Sequence, residues 1–335
     1  MIIHALKEIS MATLKDVAKD VGVSVATVSY VLNKTGSVSV EMQKRVLAAV
    51  DRLNYQPNRQ AQAMRTGKTN TIGLVLPDLT NPFFPELAQK VENEARARGI
   101  SVILIDAQNS KEAEKEGINT LNQQNVDGII WCPTNNQVAN EISVHNKPTV
   151  LIDRPHPGFD VVHSNYHSAG AIAAEHAVAL GHQRIGLLSG PQDIESAIER
   201  RKGIINTASG RLNIVWDVDV PFSSELNEEA IQLLKSSSVS LVLAASDLIA
   251  IGAINILRDA GIRVPEDISI IGFDDIPWAS LVRPRLTTVS QPIADMGREA
   301  VLRLCQRIEE PAIATRSVVL DVGLVERESA IAFVD

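Results

Sequence analysis

The sequence predicts an α/β protein in which a small helix-turn-helix headpiece precedes a large, two-lobed, doubly wound domain. Three observations carry that prediction. Residues 11–56 hold three short helical segments and no strand-like run. From Thr69 onward, short continuous apolar runs alternate with helical stretches, the pattern of parallel strands covered on both faces. That alternation starts afresh near Asn165. With 335 residues, 45% of them apolar, the chain can fill sizeable cores and still carry a small extra module.

In the headpiece, "DVAKDVG", "SVATVSYVLN" and "SVEMQKRVLAAVDRLNY" form the three helices, the last running from Ser39 to Tyr55. Ala18 is small where two helices cross, and Gly22 allows a turn that a Cβ resists. Val17, Val21, Val23, Val28 and Val31 supply a small core, and Ser24 caps the second helix. That leaves Val25, Ala26, Ser29 and Tyr30 outside, at the end of the helix that meets base edges in such motifs. An ordinary helical hairpin is the plainer reading of the same pattern. Charge favours the nucleic-acid reading. Residues 11–68 hold nine Lys/Arg against four Asp/Glu, whereas the rest beyond Lys68 hold 22 against 35. A basic head on an acidic body suits one anionic partner met by one module.

The run "ATLKDVAKDVGVSVATVSYVLNKTGSVSVEMQKRVLAAVDRLNYQPN" resembles the headpiece of the lactose-repressor/galactose-repressor family of bacterial transcription regulators. The resemblance extends from about Ala12 to Ser329. It implies that Val25, Ala26 and Tyr30 reach bases, within a DNA-contact set of Ser24, Val25, Ala26, Thr27, Ser29, Tyr30 and Asn33. Val25 and Ala26 offer only apolar contacts, such as those to thymine methyls. "PNRQAQAMRTG" is similar to the family's hinge helix, which enters the minor groove as a dimer. Met64 stands where the family usually has Leu as the wedge. Ala61 and Ala63 permit close helix approach, and Arg59, Arg65 and Lys68 lie near phosphates. The implied divisions are an extension at 1–10, a headpiece at 11–56, a hinge at 57–68 and a two-lobed effector and dimerisation domain at 69–335. Met11 is an alternative start.

In the large part, "TIGLVLPD", "SVILIDA", "VDGIIWCP" and "KPTVLID" read as strands, as do "RIGLLSG", "LNIVWDV", "SLVLAAS" and "DISIIGFD". A last strand is expected over "VVLDVGLVERES". One large sheet is possible, but the restart near Asn165 favours two lobes with a cleft at the carboxyl ends of their strands. The resemblance makes this a periplasmic-binding-protein-like (type I) domain.

Enzyme chemistry finds no support. "LLSGP" lacks the glycine two residues before Ser189 that a nucleophile elbow needs, no HExxH occurs, and His182 reads as a strand-entry residue. "GKT" at 67–69 lacks the earlier glycine of a phosphate-binding loop, and no GxGxxG follows a strand. No cofactor or metal is expected. Cys132 and Cys305 read as free thiols of a reducing compartment. No apolar run has a membrane span's length and no signal peptide is evident, so a cytoplasmic place is expected.

Polar and aromatic residues gather just past strand ends. Asn81, Phe83 and Phe84 follow the first strand, and Asp153 and Arg154 end the fourth. The phenyl faces suit the apolar side of a ring, while Asp and Arg suit neighbouring hydroxyls. A plug between lobes is the other reading of the Phe pair. These positions resemble the family and its periplasmic sugar-binding relatives, the ribose-binding branch in particular. The resemblance adds Arg200, Phe222, Ser246, Asp274 and Gln291 as effector ligands, with Ser246 where the family often has Asn. A structural salt bridge is the plainer reading of Arg200 and Asp274. The resemblance thus implies a homodimeric repressor of ribose or pentose genes that binds palindromic operator DNA and a small sugar. Dimers rather than tetramers are expected, since no heptad tail follows. A regulator answering to a purine, nucleoside or phosphoprotein is one alternative, and a sugar-binding transport component is another.

Overall fold

A computed structural model describes residues 12–33, 35–55, 67–144, 146–236 and 238–333. The extension at 1–10, Met11 and the hinge positions Arg59, Ala61, Ala63, Met64 and Arg65 lie outside the described residues. The chain divides into two compact units, one ending at Thr69 and one beginning at Asn70.

In the first unit, α1 (Leu14–Val21), α2 (Val25–Asn33) and α3 (Val40–Arg52) follow one another. Thr13 and Asp16 form a capping box at the start of α1, with Asp16 N–H donating to Thr13 Oγ1 at 3.3 Å. Gly22 ends α1 at φ 75°, in the left-handed region that a Cβ disfavours. Ser24 Oγ accepts the Thr27 N–H at 3.1 Å and so caps α2. Val17, Val21, Val28 and Val31 are buried with Val46 and Ala49 of α3. Arg45 Nη2 donates to the Val21 carbonyl at 2.9 Å and ties α3 to the end of α1. The expected third helix is shorter than its sequence pattern. Asn54 turns left-handed at φ 46°, Tyr55 N–H closes back on the Val50 carbonyl at 2.9 Å, and the helix stops at Arg52.

The second unit is two lobes, not one sheet. The first holds β1 (Thr71–Leu76), α4 (Phe83–Ala97), β2 (Ser101–Asp106), α5 (Lys111–Gln123), β3 (Gly128–Trp131), α6 (Val138–Glu141), β4 (Thr149–Ile152) and β5 (Asp160–Ser164). The second holds α7 (Tyr166–Ala179), β6 (Arg184–Ser189), α8 (Glu195–Ala208), β7 (Asn213–Asp219), α9 (Glu228–Ser236), β8 (Leu241–Ala244), α10 (Asp247–Asp259), β9 (Ser269–Asp274) and β10 (Thr287–Ser290). The chain then returns as α11 (Ile293–Glu309), which packs on α4, β3, β4 and β5 of the first lobe.

The closing segment corrects the sequence reading. "VVLDVGLVERES" is two short strands rather than one: β11 (Ser317–Leu320) joins the first sheet and β12 (Gly323–Val325) the second. The sheet orders are β11-β5-β4-β3-β1-β2 and β12-β10-β9-β8-β6-β7, the same winding twice. All pairings are parallel except β10 with β12. Each order reverses once, beside β1 and beside β6, so both crevices open at carboxyl ends of strands.

Three packing details hold the cleft's supports in place. Asp160, fully buried at the start of β5, accepts from Arg303 Nε at 2.7 Å and from Arg307, which pins α11 to the first lobe. In the second lobe, α7 and α8 cross at two glycines. A Cβ on Gly170 would stand 2.0 Å from the Arg200 carbonyl oxygen, and one on Gly203 2.0 Å from that of His167. His182, buried just before β6, bonds Ser240 Oγ at 2.8 Å and the Ile331 carbonyl at 3.1 Å, an entry role for the strand. Among the described residues, no helix is long and apolar enough to cross a membrane.

Candidate functional site

In the headpiece the geometry of α2 sorts the expected DNA-contact set. Val25 and Tyr30 are 40% and 50% exposed, and Ala26 and Ser24 are exposed too. Thr27 and Ser29 are half-buried, so Ser29 stands less freely outside than the sequence pattern predicts. The reason is helical phase: Ser29 lies next to buried Val28 on the core side of the stripe. Thr27 Oγ1 lies 2.9 Å from Ser24 Oγ and is tied to the cap. α2 ends at Asn33, whose side chain lies outside the described residues. One support escaped the sequence reading. Gly36, at φ 85°, lies so near Tyr30 that a Cβ there would stand 3.3 Å from the ring's Cγ. The exposed ring is thus backed by the chain that follows its own helix.

In the second unit, one cleft is lined by Asn81, Phe83, Phe84, Asp153, Arg154, Ser196, Arg200, Phe222, Asp274 and Gln291. Nine of these residues are expected effector ligands, brought together from both lobes, eight of them just past strand ends and Arg200 from α8. Ser246 is the exception. It is buried and caps α10, its Oγ accepting the Ile249 N–H at 3.3 Å. A hydroxyl on a short stem reaches its own helix's N–H groups, and this one is used there.

Each lobe supplies a carboxylate and a guanidinium. Asp153 follows β4 at φ 69° and Asp274 ends β9 at φ 121°, both in the left-handed half of backbone space. Such conformations are held by the surrounding fold and concentrate at functional sites. Arg154 Nε donates to the Pro133 carbonyl at 3.0 Å, and its Nη1 bonds Asp153 and, at 3.3 Å, Ser196 Oγ of the second lobe. Tyr166 Oη donates to the other Asp153 oxygen, a second link across the cleft.

Arg200 is 95% buried and its guanidinium sits 3.5 Å from the centroid of the Phe273 ring, with Tyr166 at 5.0 Å and Phe222 at 5.9 Å. Its Nη1 donates to the Ala245 carbonyl at 2.6 Å. The gap to Asp274 is 3.8 Å, too long for a direct hydrogen bond, and Arg200 Nε has no partner. The two nonetheless form a buried ion pair, as the plainer reading expects. Here donor capacity is left over. Gln291 Nε2 donates to Asp274 at 2.7 Å, while its Oε1 accepts from Ser164 Oγ at 2.8 Å and fixes the amide's direction.

The Phe pair belongs both to a core and to the wall of the cleft. Phe83 and Phe84 pack edge-to-face at 5.2 Å, buried in the first lobe's core, and still line the cavity. Asn81 orders them, since its Oδ1 accepts the Phe83 N–H at 3.2 Å. Sequence reading missed Ser196, Tyr166 and Phe273. Ser196 alone carried a usable signal, one helical turn before Arg200 on the same face.

Burial pushes the Asp274 carboxyl up to about 7, against the opposing pull of Arg200 and the Gln291 amide. The folded value therefore lies above the unfolded value of 3.8. This group's stabilisation is full below pH 3.8 and is lost as pH rises through about 7. Asp274→Asn is thus expected to raise the melting temperature of the ligand-free protein more at pH 8 than at pH 5. Thermal scans at the two pH values check this; equal shifts would contradict it.

Residues 13–58 match the lacI family of bacterial regulatory proteins, and residues 174–330 match the periplasmic binding protein-like domain. The ribose operon repressor of Halalkalibacterium halodurans is 36% identical over 322 residues, spanning 95% of this chain and 97% of that protein. The lac repressor dimer bound to operator and the anti-inducer ONPF superposes with a TM-score of 0.84 at 30% identity, over 96% of this chain and 99% of that one. A LacI family transcriptional regulator from Enterococcus faecium with bound ribose gives 0.71 at 28% identity, over 78% and 99%. The helix-turn-helix, the doubled sheet winding and similarity along nearly the whole chain agree, and the chain belongs to the lacI family of bacterial regulatory proteins, as a DNA-binding transcriptional repressor.

Proposed function

We propose that this repressor controls genes for uptake or catabolism of ribose or a related pentose. One observation carries the effector: the cleft gathers two carboxylates, two guanidiniums, two amides and three phenyl rings. Alternating acceptors and forked donors suit vicinal hydroxyls, and the rings suit a sugar's C–H face. The ribose operon repressor among its relatives and the ribose-bound Enterococcus faecium regulator support that choice. Nine of the ten expected ligands take these roles; Ser246 is dropped from the set and Ser196 takes its place. A homodimer in the cytoplasm binds a palindromic operator through residues 11–56, with 57–68 as hinge and 69–335 as effector and dimerisation domain. The lac repressor relative, a dimer on operator, supports that assembly.

Titration of operator DNA with the purified protein, with and without D-ribose, tests the reading. Ribose is expected to change operator affinity. No heat of ribose binding in calorimetry, with heat from a purine or nucleoside, would replace the pentose with that ligand. Failure to shift any palindromic promoter at low salt would remove the DNA role. With 6–10 phosphate contacts, operator affinity is expected to fall by about 10³–10⁵ between 50 and 200 mM salt.

A further inference from the structure

The segment after β3 carries two consecutive asparagines that serve different lobes. Asn135 serves the turn that leads into α6, its Oδ1 accepting from Gln137 N–H at 3.0 Å and Val138 N–H at 3.2 Å. Asn136 turns the other way. Its Oδ1 accepts the N–H of Glu195, the first residue of α8 in the second lobe, at 3.0 Å. α8 has use for that acceptor, because its own N-cap residue is Ile194 and makes no side-chain cap bond. The loop that presents Asn136 is held firmly. Thr134 donates its N–H at 3.1 Å and its Oγ1 at 2.7 Å to the buried Glu114 carboxylate, which also takes the Trp131 indole N–H at 2.5 Å.

The same loop touches the ligand cavity. Its Pro133 carbonyl accepts from Arg154 Nε at 3.0 Å, and Arg154 Nη1 reaches Ser196 Oγ, in the first turn of α8, at 3.3 Å. One turn further along α8 lies Arg200. We propose that Asn136 is a positioning residue for the effector response, capping α8 across the cleft so that the ligand-facing arrangement of Arg154, Ser196 and Arg200 is assembled only when the lobes close. This rests on reading the cleft as the effector site. Opening the lobes strips the cap and returns a helix N–H to water. A ligand bridging Arg154 and Arg200 favours the capped state, and by linkage the cap favours the ligand.

The test compares Asn136→Ala with Asn136→Asp in the full chain. The aspartate keeps the acceptor and adds a charge suited to a helix N-terminus. Hydrogen exchange at Glu195 is read in the ligand-free protein, and D-ribose affinity by calorimetry. Asn136→Ala is expected to speed that exchange about tenfold and to weaken ribose about tenfold. Asn136→Asp is expected to restore both. Unchanged exchange would overturn the proposal, and so would faster exchange with unchanged ribose affinity or no rescue by aspartate. If the unmodified protein takes up no ribose, the pentose reading fails by itself. The exchange comparison then decides the cross-cleft cap alone, faster exchange supporting it and unchanged exchange removing it.

Discussion

Arg200→Ala is expected to abolish the response to effector while leaving operator affinity as it is in the unmodified protein. The guanidinium is buried against Phe273, Tyr166 and Phe222, and its Nε is an unused donor beside the cavity. Charged hydrogen bonds contribute about 1.5–3 kcal/mol each, so loss of two to a bound hydroxyl weakens binding by roughly 100-fold or more. Removal also takes away the cation that opposes the burial of Asp274, whose carboxyl then rises above its value of about 7. Titration of operator with and without ribose reads both halves of this expectation. Lost operator binding in a variant with an unchanged melting temperature would count against Arg200 as an effector ligand. The headpiece is a separate compact unit with its own valine core, which is why its DNA affinity should persist.

Gly203→Ala is expected to lower stability and ribose affinity together. The added Cβ would lie 2.0 Å from the His167 carbonyl oxygen, and that neighbour is helix backbone with no rotamer to yield. α7 and α8 must then part by roughly 1 Å or more, a strain at or above the roughly 1–3 kcal/mol usual for overpacking. For a domain of this size that corresponds to a melting temperature lower by roughly 2–6 °C or more. The reciprocal contact falls on the carbonyl of Arg200 itself, packed against Gly170, so the shift displaces the guanidinium from its rings. Calorimetric unfolding and ribose titration on the same variant are the measurements. An unchanged melting temperature would mean that the two helices separate at no cost, contrary to the packing.

Local signals carried much of this protein into view. Gly22, Ser24 and the valines at 17, 21, 28 and 31 announce the headpiece, because turn, cap and core stripe depend on near neighbours. Strands buried on both faces are equally legible as apolar runs. Helices buried on more than one side are harder to read. α7, "YHSAGAIAAEHAVA", is small and apolar nearly all round, since one side meets α8 and another the sheet, and a helix buried in this way shows little periodicity. Nor does any local pattern say that α11 belongs to the first lobe, or that β11 and β12 part company at Asp321.

The sequence by itself determined the residue chemistry of the site and the positions where strands end. Eight of the ten expected ligands follow strands, and they meet because parallel strands in a doubly wound sheet deliver their carboxyl ends to one edge; α8 brings in the ninth, Arg200. Only the tertiary structure decided what each side chain had left to offer. Ser246 is spent on its own helix, Ser196 is brought in by α8, and Arg200 keeps an unmet donor. Asn136 reaches a helix 59 residues further along the chain. Hydrogen-bonding capacity is shared among whatever groups the fold brings near, and that allocation depends on contacts distant in sequence.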